Sequence, residues 1–389
     1  MNRDSLVNSL SLYEIISPVL HDVFIHHIGI EKAKMQYSLN IKDSLEVYKL
    51  GSFDFNAADF HIDSIAKHKR GFWYSRSFTF EAKNILGRMT ARNHQFNIKR
   101  LALNTDARNF VIEDVTLTPL AKKTHNDYAK GHVVALKING LKYDHGISAD
   151  TFLIKHPVIG YVTTEGVTVK SRRVRASNNR HSDVYEMLDP FLRYLSVKRF
   201  ILDDAEVTFN DRRSADATEY QVNHFNFFAN DILFSAQTER QKDLHFDYGE
   251  MGFDFSHFDN YLPGKMYRLK MERCSFSTLK GILSLQGICL MPQDTAFLHT
   301  QLSIQASSPS LLVSGLKRLP DKPAKNLYFS TLLLSQPRLD VLKKDGSRMS
   351  LKLAQVTADD VAWDSTAFRL NTIALVSPLV NVYSVQHKE

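Results

Sequence analysis

Histidine is the residue type that could most readily do chemistry in this chain of 389 residues, which holds 16 of them. The densest groups are His21, His26 and His27, and then His61 and His68. Neither group has the HExxH spacing of a metalloprotease, so we expect polar surface histidines and no metal site. Serine-nucleophile elbows, phosphate-binding glycine loops and dinucleotide fingerprints are also missing. The sequence predicts a protein that is not an enzyme, with no catalytic residue and no cofactor.

The two cysteines, Cys274 and Cys289, are predicted to lie on the two arms of one hairpin. One such pair could form a disulfide in an oxidising compartment, although free thiols are the favoured interpretation.

One local concentration of positive charge runs from Lys170 to Arg175. The chain as a whole has 49 basic and 42 acidic residues, so its net charge of +7 is spread through segments of mixed sign. A solvated connecting loop is the favoured interpretation of this stretch. The alternative is that Arg172, Arg173 and Arg175 contact anionic lipid headgroups. No basic face interleaved with aromatic residues accompanies it, so nucleic-acid binding is not expected.

The elements that would position any site are strands, because apolar and polar residues alternate with a period of two through most of the chain. Turn signals such as Asn139-Gly140, Lys280-Gly281 and Asp345-Gly346 punctuate the runs, as hairpin connections do. The pattern predicts a mainly β fold: an elongated, twisted, antiparallel repeat sheet with a β-solenoid-like body, which either packs as a two-sheet sandwich or curls into an open trough.

An internal repeat organises these strands. Residues 13–37 align with residues 185–209 at an offset of 172, and the offset is 173 by residues 116–119. A short strand segment whose second residue is proline, His156–Tyr161, returns at Gln336–Val341 and again at Ser377–Val382; we call it the proline-strand phrase. The sequence therefore predicts two tandem β modules, 1–184 and 185–356, and additional strands at 357–389 that continue the array.

Each module is predicted to open with one short helix. Ser17-Pro18 and Asp189-Pro190 each place a capping residue before a proline suited to a first helical turn. Apolar residues then follow at helical spacing, namely Val19, Leu20 and Val23 in the first module and Phe191, Leu192 and Leu195 in the second.

The alternation also predicts which side chains share the inner face of the sheet. The second and fourth residues after the proline of the proline-strand phrase are apolar in all three copies. The first and third residues after it include Arg338 and Asp340. The predicted inner set, which would line a groove or fill a core, is Ile159, Tyr161, Val197, Ile201, Val207, Phe209, Leu339, Val341, Val380 and Val382.

The proline-strand phrase at 149–161, with its copies at 329–341 and 370–383, resembles the repeat of AsmA-like proteins of Gram-negative envelopes. The module opener at 185–192 is similar to the linker of large AsmA-like chains. The resemblance implies an elongated β-repeat protein with a taco-like groove, located in the periplasm or cell envelope, which moves phospholipids between the inner and outer membranes. Its partners would be phospholipid acyl chains and the two membranes, reached through an anchor or partner proteins.

No run of the sequence approaches the ~18–20 apolar residues of a membrane helix, and no signal peptide is visible. Because residue 13 already lies in a module opener and residue 383 ends a predicted strand, we expect this chain to be a fragment of a longer array. The favoured function is a hydrophobic groove for phospholipid transfer, and the alternative is a structural scaffold of the cell envelope whose β interior is packed.

Overall fold

The computed structural model consists of strands and the turns between them. It describes residues 18–41, 44–63, 74–90, 93–120, 128–143, 147–163, 194–211, 218–235, 249–262, 265–293, 302–318, 327–363 and 368–384. These residues form 22 strands and no helix, so the predicted mainly β fold is confirmed.

The first eleven strands in chain order are β1 Val23–Ile41, β2 Ser44–Ile62, β3 Ser75–Met89, β4 His94–Asn104, β5 Asn109–Pro119, β6 Tyr128–Asn139, β7 Lys142–Tyr143, β8 Ile147–Thr163, β9 Tyr194–Asp211, β10 Thr218–Ser235 and β11 Glu250–Tyr261. The remaining eleven are β12 Tyr267–Ser277, β13 Ile282–Pro292, β14 Leu302–Ser314, β15 Lys317–Arg318, β16 Leu327–Ser335, β17 Arg338–Lys343, β18 Arg348–Lys352, β19 Gln355–Trp363, β20 Phe368–Arg369, β21 Thr372–Val376 and β22 Leu379–Tyr383.

The chain divides into two units. The first comprises residues 1–121, 133–143 and 148–152, and the second comprises the rest. In the first unit β1 to β5 pair in chain order, each antiparallel to the next. In the second unit β9 to β14 do the same. The predicted module boundary between 184 and 185 lies outside the described residues, so the modules 1–184, 185–356 and 357–389 stay predictions.

After β14 the long strands are each broken into two pieces. β14 pairs with both β16 and β17, which pair in turn with β19 and β18. β19 and β18 then pair with β21 and β22. Pro337 and Pro378 stand at two of these breaks, where a residue without a backbone N–H interrupts the ladder at least cost.

β8 and β9 depart from the predicted antiparallel order. His156 contacts Asp204, and the ring of Tyr161 stacks on that of Phe209, so both contacts join residues 48 apart (204 − 156 and 209 − 161). A constant offset means that the two strands run in the same direction here. The sheet is therefore mixed: most of the described pairs are antiparallel, as predicted, and this contact is parallel.

The predicted short helix at the start of each module is not observed. Residues 18–22 form a turn and a bend, and β1 begins at Val23, which pairs with Ile62. Leu195 of the second expected helix lies in β9 opposite Phe234, and the rest of that segment lies outside the described residues. Pairing with a neighbouring strand satisfies the backbone groups that a helix would have satisfied internally.

The two cysteines lie on the hairpin β12–β13, as predicted, and both are free thiols. Cys274 is opposite Leu285, whereas Cys289 is opposite Lys270, so the thiols are four residues apart along the hairpin. Four residues of strand span about 13 Å, which exceeds the reach of a disulfide.

Candidate functional site: an apolar sheet face

Apolar side chains form rows that cross neighbouring strands on one face of the sheet. In the first unit, Phe55 is opposite Phe80, Phe80 is opposite Leu103, and Leu103 is opposite Phe110. A second row runs parallel to the first, through Phe53, Ala82, Leu101 and Ile112. Directly opposed residues share a face, so each row is continuous across four strands. We call this surface the apolar face.

Farther along the same strands the apolar rows shift by one residue. The rows there are Leu50, Ile85, Ile98, Val115 and Tyr48, Gly87, Phe96, Leu117. Between the two sets runs a row that we call the seam, formed in this unit by Gly51, Asn84, Lys99 and Asp114. Asn84 and Asp114 adopt left-handed backbone angles, with φ of 54° and 51°.

A left-handed residue keeps the apolar side chains on one face. The rings of Phe253 and Phe255 stack at 6.3 Å, as expected for residues two apart. The ring of Phe255 also lies 5.9 Å from that of Phe258, three residues on, with His257 between them at a φ of 56°. Ordinary alternation would place Phe255 and Phe258 on opposite faces. The seam therefore resets the alternation, and the apolar face continues across it.

Left-handed residues recur at the offsets of the sequence repeat, both at the seam and elsewhere in the strands. Left-handed Lys32 and Asp59 correspond to left-handed Asp204 and Asp231 at an offset of 172. The backbone N–H of Lys32 donates to Asp54 Oδ1 at 2.7 Å, and that of Asp204 donates to Asn226 Oδ1 at 2.9 Å, again at the same offset.

The hairpin turns repeat as well. The Thr105 hydroxyl donates to the carbonyl oxygen of Phe78, and the Thr278 hydroxyl donates to that of Met251, at an offset of 173. The repeat is thus present in backbone conformation and hydrogen bonding as well as in sequence.

Aromatic rings are concentrated on the apolar face of the second unit. Phe225 lies 6.1 Å from Phe253, and Phe253 lies 5.4 Å from Phe276 on the next strand. Phe200 joins from β9, with its ring 6.0 Å from that of Phe227. The cluster spans β9 to β12.

The apolar face continues through the last strands. Leu339 is opposite Leu351, which is opposite Val380, and a neighbouring row joins Val341, Met349 and Val382. Arg338 and Asp340 lie on the other face, opposite Lys352 and Ser350. The register therefore brings Leu339, Val341, Val380 and Val382 together and separates them from the charged residues. Whether they contact lipid stays a prediction.

The other predicted residues are distributed as follows. Ile159 and Tyr161 are both exposed on β8, and Tyr161 stacks on Phe209 at 5.7 Å. Val197 is buried opposite Ile232, and Val207 is opposite Val222.

Ile201 is separated from these residues. Its neighbour Phe200 is on the apolar face, so alternation points Ile201 the other way, opposite Phe228. Sequence parity missed its separation from Val207 and Phe209 because left-handed Asp204 lies between and resets the alternation. Arg172, Arg173 and Arg175 lie outside the described residues.

The apolar face is only partly shielded from solvent. Ile373 and Leu375 are 55% and 53% exposed, and both lie on the apolar face of β21. Fully buried clusters in the described residues are small, such as that of Val313, Phe329, Ala358 and Val361. Side chains this exposed are available for contact with an apolar ligand.

The opposite face is polar and carries paired charges. Arg100 donates to Glu81 Oε1 at 2.9 Å and to Glu113 Oε1 at 3.3 Å. The hydrogen bond from Arg100 lowers the pKa of the Glu81 carboxyl. Each ion pair joins side chains about one-third exposed, so these pairs contribute little stability but keep this face hydrated.

The seam carries its own charged cluster. Asp204 lies between His224, with Nδ1 2.7 Å from Oδ1, and His156, with Nδ1 2.9 Å from Oδ2. All three residues are left-handed. Hydrogen bonds from His224 and His156 lower the pKa of the Asp204 carboxyl. Sequence reasoning missed the seam, although polar residues that interrupt the apolar alternation were its signal.

The chemistry available at the apolar face is contact with apolar matter. In the described part of the chain there is no group of His, Cys, Asp or Glu side chains that could hold a metal ion. That part also contains no helix able to cross a membrane.

No protein-family model matches the chain. Part of the chain is similar to Toxin B of Clostridioides difficile, with 24% identity over 155 residues. The matched region is 38% of this chain but only 6% of the toxin, so the chain corresponds to a small fraction of that protein. A likeness this distant and partial carries no argument about activity.

Proposed function

We propose that the apolar face binds the acyl chains of phospholipids and serves as a non-enzymatic surface for their transfer between membranes. The observation that supports this most is the continuity of the face, since apolar rows cross strand after strand and the seam keeps them on one side. Consistent with the AsmA-like resemblance, the proposed location is the periplasm or cell envelope.

Such a surface would act without catalytic groups. An acyl chain in water costs about 0.8 kcal/mol per exposed methylene, which is the barrier to spontaneous transfer. Half-exposed valine and leucine side chains and partly buried phenylalanine rings on this face offer contact to the acyl chain and so remove much of this cost. The headgroup would stay in water, with Arg172, Arg173 and Arg175 as proposed contacts for anionic headgroups.

The test compares two leucines of β17. Leu339 is on the apolar face, opposite Leu351, whereas Leu342 is on the other face and is 40% exposed. Leu339→Asp places a carboxylate against the proposed path, where an unpaired charge beside an acyl chain costs several kcal/mol. We expect Leu339→Asp to lose at least about tenfold of the co-purified phospholipid, which corresponds to 1.4 kcal/mol. Leu342→Asp should retain it.

Native mass spectrometry of the purified chain measures bound phospholipid, and circular dichroism measures folding. Equal lipid content in both folded variants, or none in the unsubstituted protein, would refute the proposal.

A second candidate is a structural scaffold of the envelope whose β interior is packed. The buried cluster around Val361 favours it locally. In a scaffold, Leu339→Asp would bury an unpaired charge and unfold the sheet. Loss of the strand signal in that variant would therefore support the scaffold over the lipid surface.

A further inference from the structure

The contact between β8 and β9 shows how the last strand of one repeat receives the first strand of the next. The two strands run in parallel, with His156 beside Asp204 and Tyr161 stacked on Phe209. The contact therefore has a left-handed pair at the seam and an apolar pair five residues later. Both pairs have counterparts elsewhere in the chain.

β1 corresponds to β9, and no strand of the β8 type lies beside it among the described residues. Left-handed Lys32 takes the place of Asp204, and Tyr37 takes the place of Phe209, both at the offset of 172. In the described part of the chain, the register of β1 is set by β2 alone. Met35 and Tyr37 are 51% and 52% exposed. A long edge strand with exposed apolar residues is a template for pairing.

β21 and β22 correspond to β8, and within the described ranges no strand of the β9 type lies beside them. Ser377 is left-handed and precedes a proline, as His156 does, and Val382 follows it by five residues, as Tyr161 follows His156. In the described residues, β22 pairs with β18 and β21 pairs with β19 and no further strand. Val380 and Val382 are 53% and 70% exposed.

We propose that the β21–β22 edge of one copy of this chain receives β1 of a second copy, in parallel and with Ser377 beside Lys32. This register places Val382 against Tyr37 and Val380 against Met35, as Tyr161 lies against Phe209 within the chain. All four side chains are on the apolar face, so the face would continue from one copy to the next.

The two edges are different surfaces, so the contact is head to tail. A head-to-tail contact leaves one edge of each type free and can be repeated. The occupant is a second copy rather than an unrelated strand because each edge has, at matching positions, the left-handed residue and apolar residues that the β8–β9 contact uses. The inference does not depend on lipid binding.

The test uses one blocking substitution on each edge. Val382→Lys blocks the β22 edge and Tyr37→Lys blocks the β1 edge, and both sites are exposed enough for the chain to fold. Leu279→Lys, at a hairpin tip where the leucine is 74% exposed, is the control. Size-exclusion chromatography with light scattering measures mass over a range of protein concentrations.

We expect the unsubstituted chain and Leu279→Lys to grow in mass with concentration, and each blocked variant to remain a monomer. A mixture of Val382→Lys and Tyr37→Lys should form a dimer of one copy of each. The first variant keeps its β1 edge and the second keeps its β21–β22 edge, so one contact can form. Monomers throughout, or a mixture that stays monomeric, would overturn the proposal. Self-association of either blocked variant alone would show that like edges pair and would overturn it too.

A cysteine pair fixes the register. Met35→Cys in one copy and Val380→Cys in another should form a mixed disulfide on oxidation, since neighbouring strands bring such residues within reach. Failure of lipid binding with normal assembly would refute the proposed function alone, and the reverse result would refute the assembly alone.

Discussion

Gly287 allows the structural repeat to be tested quantitatively. It corresponds to Asp114 at an offset of 173, and its cross-strand neighbour Glu272 corresponds to Lys99 at the same offset. In the first repeat Lys99 Nζ lies 3.1 Å from Asp114 Oδ2, so the seam there carries an ion pair. In the second repeat it carries an exposed glutamate beside a glycine whose φ is 61°. Gly287→Asp should therefore place two carboxylates together.

The expected cost has two parts. A non-glycine residue in the left-handed region costs about 1 kcal/mol, and aspartate is among the residues that tolerate it best. A Cβ at Gly287 would also meet the Glu272 side chain, which must move aside. Repulsion between exposed like charges on neighbouring strands adds about 0.5 kcal/mol. Gly287→Asp should thus lower the free energy of unfolding by about 1.5 kcal/mol.

Adding Glu272→Lys should recover about 1 kcal/mol of that loss, because the repulsion is removed and the pair of the first repeat is recreated. Urea unfolding of the unsubstituted chain, both single variants and the double variant gives the coupling free energy. High salt should shrink it, since both groups are exposed. Gly287→Asp with Glu272→Gln is the control that removes repulsion without adding attraction. A coupling of zero at low salt would refute the equivalence of the two seams.

Two other titratable groups give further predictions. Burial raises the pKa of the Cys274 thiol to about 11 from an ordinary 9.0, so at neutral pH its thiolate fraction is about 100-fold lower. In a Cys289→Ser variant, reaction with a disulfide reagent should be slower by about that factor than after unfolding in urea, and equal rates would contradict it. The pKa of the Asp204 carboxyl is lowered by His224 and His156, so its contribution to stability is complete above its ordinary value of 3.8 and is lost as the pH falls through the lower folded value. Asp204→Asn should therefore flatten the acid limb of the stability profile, and an acid limb of unchanged slope would contradict this account.

Strand positions were predictable wherever turn residues and alternation agreed. The runs of alternating apolar and polar residues at 94–103 and 281–291 coincide with β4 and β13, and the predicted turns at Asn139-Gly140 and Lys280-Gly281 have glycines with positive φ. Local signals suffice there because a hairpin satisfies its backbone with its immediate neighbour.

The failures have a different physical origin. Ser17-Pro18 has the residue types of a helix start, but pairing with β2 decides the conformation from Val23 onward, and propensity does not report a distant partner. Ile201 was assigned to the wrong side of its strand because parity counting assumes an unbroken alternation. The parallel contact of β8 with β9 could not be derived from local pattern at all, since strand direction is set by a connection of many residues.

The seam has a consequence for how the sequence can change over time. A residue inserted into or deleted from a strand normally moves every side chain beyond it to the other face of the sheet. Several of the described long strands already contain such a slip, and along the seam of β3, β4 and β5 it is harmless because the apolar rows of neighbouring strands stay in register on both sides of it. A length change inside one strand would place its apolar side chains on the face opposite to those of both neighbouring strands. The repeat offset is 172 at Asp59 and Asp231 but 173 at Asn84 and His257, so the extra residue entered between the strands. Changes in length are therefore tolerated in the connections between strands, whereas inside a strand they would have to be matched by its neighbours.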